Sequence, residues 1–447
     1  MSWVDDANAA LLTDLYELTM AASYHSHGMS GRATFDLFVR ELPPRRNFMI
    51  ACGLEQALQY IENLTFESDS IDYLRSLSLF SEDFLTYLSE LSFTGDVWAI
   101  PEGEVVFERE PFLRVTAPLI EAQLLEAFLI NCITFQTMVA SKAARVAIAC
   151  RDRSFVDFSL RRDHAADAAL KAARAAFVGG ATGTSNVLAG KFYGLPVSGT
   201  MAHSYVMAYE DEEAAFRAYL EDFPEAAVLL IDTFDIEEGA RRAARVATDL
   251  RDQGMRLRGV RIDSGELAPQ ARAVRKILDE AGLEDTRIIL SGDLDEYRIK
   301  DLLDDDVPVD SFGVGTQLGT SADAPTLGGV YKLVADDRGP KIKLSAGKAT
   351  LPGCKQVYRV EDAGVYQRDV IALESEEVEG RSLMKRVMSD GRRLGPFPSL
   401  SEIQSLCRDS LAKLPPALRS LESQEDYQVE NSEGLQRLID VMTGRSR

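Results

Sequence analysis

Between residues 145 and 315, short β-branched runs alternate with helix-like segments, and this rhythm restricts the possible folds more than any other feature of the chain. The runs are RVAIAC (145–150), FVDFSL (155–160), AAFVGG (175–180), LPVSGT (195–200), AVLLID (227–232), GVRID (259–263), RIILSG (287–292) and VDSFGVG (309–315). Most are separated by segments such as IEEGARRAARVATDLRDQG, which begins on glutamates and ends on glycine. That arrangement suits the helix dipole and provides a C-terminal cap. Strands joined through helices pair in parallel, and about eight such units predict a closed (β/α) barrel.

The flanks have another texture. Residues 93–118 are short strand-like runs punctuated by Gly and Pro, and the same pattern returns after residue 328. DDRG (336–339) and EDAG (361–364) read as hairpin turns. Each flank is too small to bury a core of its own, so the two are expected to combine beside the barrel. Residues 8–30, 50–92 and the C-terminal leucine-spaced stretch read as helices.

Composition narrows the function. A chain of 447 residues with a net charge of −22 lacks the basic footprint that nucleic-acid phosphates require. Small phosphorylated ligands stay open, because charges beyond a Debye length of about 8 Å are largely screened. The N-terminus has no basic leader, and apolar runs such as AFLINCITF look too short to cross a bilayer. Five cysteines are scattered singly, which argues against a zinc site or a disulfide framework. The expectation is a cytoplasmic protein that binds neither nucleic acid nor membrane.

Barrel chemistry sits at the C-terminal ends of strands. In chain order those ends carry Arg161 and Arg162, then Thr182 and Ser185 after Gly179-Gly180, then Thr200, His203 and Ser204. Asp232-Thr233, Asp263-Ser264-Gly265, Ser291-Gly292-Asp293 and Gly313-Val314-Gly315-Thr316 follow. Glycines admit close backbone approach, while amides and hydroxyls donate to an anion, so the set suits phosphate. Singly, each has a plainer reading: a turn for GVGT, a helix cap for Asp232 or Asp263, a structural hydrogen bond for His203. Their succession on strand ends favours a site.

Several long motifs resemble nicotinate phosphoribosyltransferases: LLTDLYELTMAASY (11–24), FDLFVRELPPRRNFMIACGLEQAL (35–58), GTSNVLAG (183–190) and GTMAHSYVMAY (199–209). GVRIDSGEL (259–267), FGVGTQLGTSADAPTLGGVYKLV (312–334), LPGCKQVYR (351–359) and LMKRVMSDGRRL (383–394) extend the likeness nearly end to end. The resemblance implies an α/β fold: an irregular (β/α) barrel (126–327) beside an α/β sandwich domain built from 1–125 and 328–447, the latter ending in a helical tail. It also implies a homodimer with interface active sites.

The implied reaction joins nicotinate to phosphoribosyl pyrophosphate, giving nicotinate mononucleotide and pyrophosphate, coupled to ATP hydrolysis in NAD salvage. His203 matches the histidine that ATP phosphorylates transiently, with Ser204 beside it. Asp263 is placed on the ribose hydroxyls or on Mg²⁺ bridging the diphosphate, and no dedicated protein cage is expected for the metal. Gly292, Gly313, Gly315 and Thr316 match the 5′-phosphate cradle. Thr182, Ser185, Gly265, Ser291 and Asp293 are expected among the phosphoribosyl contacts. Arg161 or Arg162 would pair with the nicotinate carboxylate, and Tyr16 would stack on the ring from the partner subunit. Glu266 departs from the commoner DSGD pattern by one methylene. Nicotinamide phosphoribosyltransferase and a sugar-phosphate-binding barrel without transferase activity are the alternatives. Quinolinate phosphoribosyltransferases are much shorter, and phosphosugar lyases or isomerases would place a Schiff-base lysine or glutamate base at a strand end.

Overall fold

The computed structural model describes residues 4–345 and 349–444. It divides into two compact units, Met1–Ser141 with Thr326–Arg447, and Lys142–Pro325.

In the first unit both chain ends build one sheet. Its strand order is Gly339–Pro340, Gly329–Asp336, Arg32–Val39, Leu113–Pro118, Asp96–Ala99, Lys385–Ser389 and Arg392–Arg393. Arg32–Val39 sits inside the sheet and is buried from Ala33 onward. Such two-sided burial explains why its sequence, RATFDLFV, does not alternate cleanly. A second sheet pairs Lys355–Asp362 with Val365–Leu373 through Ala363 and Gly364, whose φ angles of 47° and 79° meet the demand of a two-residue hairpin turn. DDRG likewise closes a hairpin, with Asp336 opposite Gly339.

The second unit holds five parallel strands in the order Ser154–Asp157, Ser311–Val314, Arg287–Leu290, Gly259–Ile262 and Val228–Leu230. The last strand in sequence therefore returns to pair with the first, as a closing barrel requires. Single parallel bridges continue the order from Asp157 to Thr184 and from Thr184 to Val197. Among the described residues no ladder joins Val197 to Val228–Leu230, so the ring has one open seam.

Three expected strands differ. Residues 145–150 form the end of the helix Glu126–Cys150, and 175–178 belong to the helix Ala166–Val178. The 195–200 run contributes only the bridge at Val197. Apolar runs this short fit a buried helix as well as a strand, and here alanine lets the helices pack closely. The membrane expectation also needs correction in one respect. Leu119–Cys150 is a helical stretch long and apolar enough to span a bilayer, but its apolar window is 72% buried within the protein, which accounts for its composition.

At the N-terminal strand ends, arginines are spent on backbone carbonyls. Arg251 donates to Gly282 O at 2.9 Å, Arg258 to Glu225 O at 3.0 Å and Arg275 to Thr286 O at 2.7 Å. These cations face the negative ends of barrel helices.

Candidate active site

Asp232 organises the opposite, C-terminal strand ends. Its side chain is fully buried two residues beyond Val228–Leu230. Oδ2 accepts the Asp263 backbone N–H at 2.9 Å and the Ser264 hydroxyl at 2.7 Å. Among the described residues Oδ1 accepts no hydrogen bond, and it faces Nε2 of His203 at 3.9 Å. The helix cap is a different residue, Asp235, which accepts from Glu238 N at 2.9 Å. Likewise Glu266, not Asp263, precedes the helix Leu267–Glu280. Neither Asp232 nor Asp263 is therefore used up as a cap.

His203 opens the short helix His203–Met207, and 39% of its side chain is exposed. Nδ1 lies 3.2 Å from the Thr233 hydroxyl. A carboxylate facing one ring nitrogen favours a proton there, which leaves the lone pair on the other. His203 is thus held between a buried acid and a hydroxyl at an accessible mouth, while Ser204 beside it is exposed.

Asp263 accepts the Ser291 hydroxyl at 2.5 Å, a bond that ties two neighbouring strand ends together. Gly292 follows at φ 94°, and a Cβ there would run into the Asp263 carbonyl oxygen. Only glycine suits that turn. Asp293 continues in the left-handed region at φ 48°, and its carbonyl accepts from Arg298 at 3.0 Å. Ser291 therefore positions Asp263, although the sequence placed it among phosphate contacts.

The remaining expected residues divide. Thr182 donates its hydroxyl to Phe155 O at 3.0 Å, and the Ser185 backbone N–H bonds Asp157 O at 2.9 Å. Gly265 turns at φ 78°. The space at Gly313 is occupied by the Phe158 ring, so this glycine serves packing. Gly315 leads into the short helical turn Thr316–Gly319. Arg161 and Arg162 are both exposed, on a turn braced by Ser159 bonding to Asp157 and Asp163. Burial, assisted by the nearby Asp157 charge, pushes Asp163 up to about 6. Tyr16 belongs to the first unit, on the helix Leu15–Ser26, where burial and Glu126 push its hydroxyl up to about 12.

Arg261 escaped the sequence reading. Its guanidinium donates to Met201 O at 3.3 Å, while its Nε is buried and bonds nothing among the described residues. Burial lowers its pKa; Asp263 and Asp232 oppose that effect and Arg161 adds to it. An arginine inside the GVRID run was the available signal, since a barrel strand reads as continuously apolar unless its inward face does chemistry.

Among the described residues no group of three or more His, Cys, Asp or Glu side chains could hold a metal by itself. The unpaired Asp232 oxygen and the Asp263 carboxylate nonetheless suit a hard cation shared with substrate phosphates, as Mg²⁺ commonly is.

Three family models match: the nicotinate phosphoribosyltransferase N-terminal domain over residues 11–134, the nicotinate phosphoribosyltransferase family over 153–335 and the C-terminal domain over 377–439. A nicotinate phosphoribosyltransferase of Mycobacterium tuberculosis is 46% identical over 92% of this chain and 89% of its own. One from Bacillus subtilis is 40% identical over 96% and 94%. The crystal structure of human nicotinic acid phosphoribosyltransferase superposes with a TM-score of 0.87 at 30% identity, covering 96% of this chain and 99% of that one.

Proposed function

Since the chain belongs to the nicotinate phosphoribosyltransferase family, we propose that it makes nicotinate mononucleotide and pyrophosphate from nicotinate and phosphoribosyl pyrophosphate, with hydrolysis of ATP to ADP and phosphate. The observation that carries the reading is the juxtaposition of His203, Asp232, Asp263 and Arg261 at neighbouring strand ends.

In ribosyl transfer the pyridine nitrogen attacks the ribose anomeric carbon as the bond to pyrophosphate breaks. The carbon passes through an oxocarbenium-like state, so the protein's task is alignment and charge stabilisation. Arg261, half-buried at the mouth, is the cation for the nicotinate carboxylate, with Arg161 as its nearby companion; both would donate where carboxylate charge must be met. Tyr16 supplies a stacking ring from the partner subunit of a dimer. Asp263, held by Ser291, receives the ribose hydroxyls. The backbone at Gly292, Asp293, Gly315 and Thr316 receives phosphate. Asp232 and Asp263 would hold Mg²⁺, which offsets diphosphate charge when bound.

His203 couples ATP to this transfer. With Asp232 favouring the proton on Nε2, the Nδ1 lone pair faces Thr233 and can attack the terminal phosphorus of ATP, releasing ADP. Water later takes the phosphoryl group from His203 and yields phosphate. The decisive experiment offers nicotinate, nicotinamide and quinolinate in competition with phosphoribosyl pyrophosphate, ATP and Mg²⁺. Preferential consumption of nicotinate with ADP release is expected; a preference for nicotinamide would overturn the reading. A neutral amide gives the Arg261 guanidinium no charge partner.

A further inference from the structure

Lys142 sits on the helix Glu126–Cys150 with 1% of its side chain exposed. Nζ donates to Glu296 Oε2 at 2.5 Å and to Asp323 Oδ1 at 2.8 Å. Arg145, on the same helix face, donates through Nε to the other Glu296 oxygen at 2.9 Å. The same guanidinium reaches the Tyr297 hydroxyl, also at 2.9 Å. Burial pushes the Glu296 carboxyl up, but Lys142 and Arg145 outweigh it and hold the group below its usual value. Glu296 therefore stays ionised and paired at neutral pH.

The two carboxylates come from two different strand-end loops. Glu296 opens the helix that follows the Ser291-Gly292-Asp293 turn, and Asp323 closes the loop that begins at Gly315, just past the strand Ser311–Val314, and runs through Thr316. One ammonium thus joins both loops to a helix that carries neither. Buried ion pairs are costly, and well-packed apolar residues of similar volume often stabilise a core as well or better. A pair retained at the junction of two phosphate-facing loops calls for a role in geometry.

We propose that Lys142 is a positioning residue for the phosphate end of the site, fixing the separation of the 291–296 and 315–323 loops through Glu296 and Asp323 so that both meet phosphoribosyl pyrophosphate. The inference rests on the phosphate-cradle reading given under Proposed function. Lys142 itself touches no substrate; it acts through the loops.

The test measures KM for each substrate, and kcat, in Lys142→Met, Lys142→Arg and Asp323→Asn, with thermal melts to establish folding. Misplacing a binding group by about 1 Å can cost up to about 100-fold, so Lys142→Met should raise the KM for phosphoribosyl pyrophosphate at least about tenfold. KM for nicotinate should stay within about twofold. Lys142→Arg should recover part of the loss, and Asp323→Asn, which releases only the second loop, should show a smaller effect in the same direction. If Lys142→Met does not fold, the other two variants decide. Equal changes in both KM values, or none in folded variants, overturn the positioning role. Gly292→Ala, whose methyl would meet the Asp263 carbonyl oxygen at the phosphate-facing turn, separates the two layers: an unchanged KM for phosphoribosyl pyrophosphate there means the cradle reading itself fails. A raised KM in Gly292→Ala with unaltered Lys142 variants rejects only the inference about Lys142.

Discussion

Asp232 places one carboxylate oxygen 3.9 Å from Nε2 of His203 and commits the other to Asp263 and Ser264. A single buried acid therefore connects the proposed phosphoryl acceptor to the strand end proposed to hold the ribose.

Asp232→Asn keeps the shape but removes the charge that favours a proton on Nε2. At 3.9 Å the carboxylate acts on Nε2 through its charge rather than through a hydrogen bond, so ATP-stimulated turnover should fall by at least about tenfold. ATP-independent transfer should fall as well, because the same carboxylate fixes Asp263 and would hold Mg²⁺. His203→Ala should abolish ATP stimulation and labelling by γ-³²P-ATP while leaving weak transfer. Full coupling of ADP release to product formation in His203→Ala would remove the phosphohistidine from the mechanism.

Arg261→Met tests recognition of the carboxylate. Removing this half-buried guanidinium from its anion should raise the KM for nicotinate by on the order of 10- to 100-fold, with a far smaller effect on phosphoribosyl pyrophosphate. Arg161→Ala should act in the same direction but less, and Arg162→Ala least, because both side chains are exposed while Arg261 is half-buried at the mouth. Steady-state kinetics of the three variants fix the order. A larger nicotinate effect in Arg162→Ala than in Arg261→Met would return the assignment to the exposed pair.

The contrast between Arg261 and Arg162 shows where sequence reasoning reaches its limit. The runs at 227–232, 259–263, 287–292 and 309–315 are bounded by turn residues, and strands form there. At 145–150 and 175–178 the apolar residues are mostly alanine and valine and continue a helical stretch, and helix prevails although Gly179-Gly180 bounds the second run. Asp263 was legible because an acid at a strand end has few uses. Arg261 was not, because period-two reasoning treats a charged residue in mid-strand as outward-facing. Gly313 misled in the other direction: a glycine that admits the Phe158 ring looks the same in sequence as one that admits a phosphate. The Lys142–Glu296–Asp323 link joins positions far apart in the chain, and no local pattern announces it.

Glu17 predicts a pH dependence of stability. The residue is buried on the helix Leu15–Ser26 and accepts the Thr13 hydroxyl at 2.6 Å. Burial raises its pKa from 4.5 to about 7. A carboxyl raised by folding binds its proton more tightly in the native state, so its contribution is complete below pH 4.5 and is lost as pH rises through about 7. Glu17→Gln should therefore melt higher than the parent at pH 8, by at least about 2 °C. Much of that gain should vanish at pH 5. Parallel melting curves at the two pH values check this, and a constant difference would reject the buried-proton account.

Gly292→Ala tests the strand-end turn itself. At φ 94° an L-residue is strained, and the added methyl meets the Asp263 carbonyl oxygen, which is backbone and cannot swing aside. Holding a non-glycine residue in such a region costs about 1–3 kcal/mol, which lowers Tm by several degrees. The methyl should also displace Asp263 and the phosphate-facing amides together, so the KM for phosphoribosyl pyrophosphate should rise while nicotinate recognition through Arg261 is largely kept. Gly313→Ala supplies the comparison: its methyl meets chiefly the Phe158 ring and comes within 3.2 Å of the Ser291 Cβ. It should lower Tm by a similar amount with little change in that KM. If the two variants raise the KM equally, the 291–293 turn holds no special place in phosphate binding.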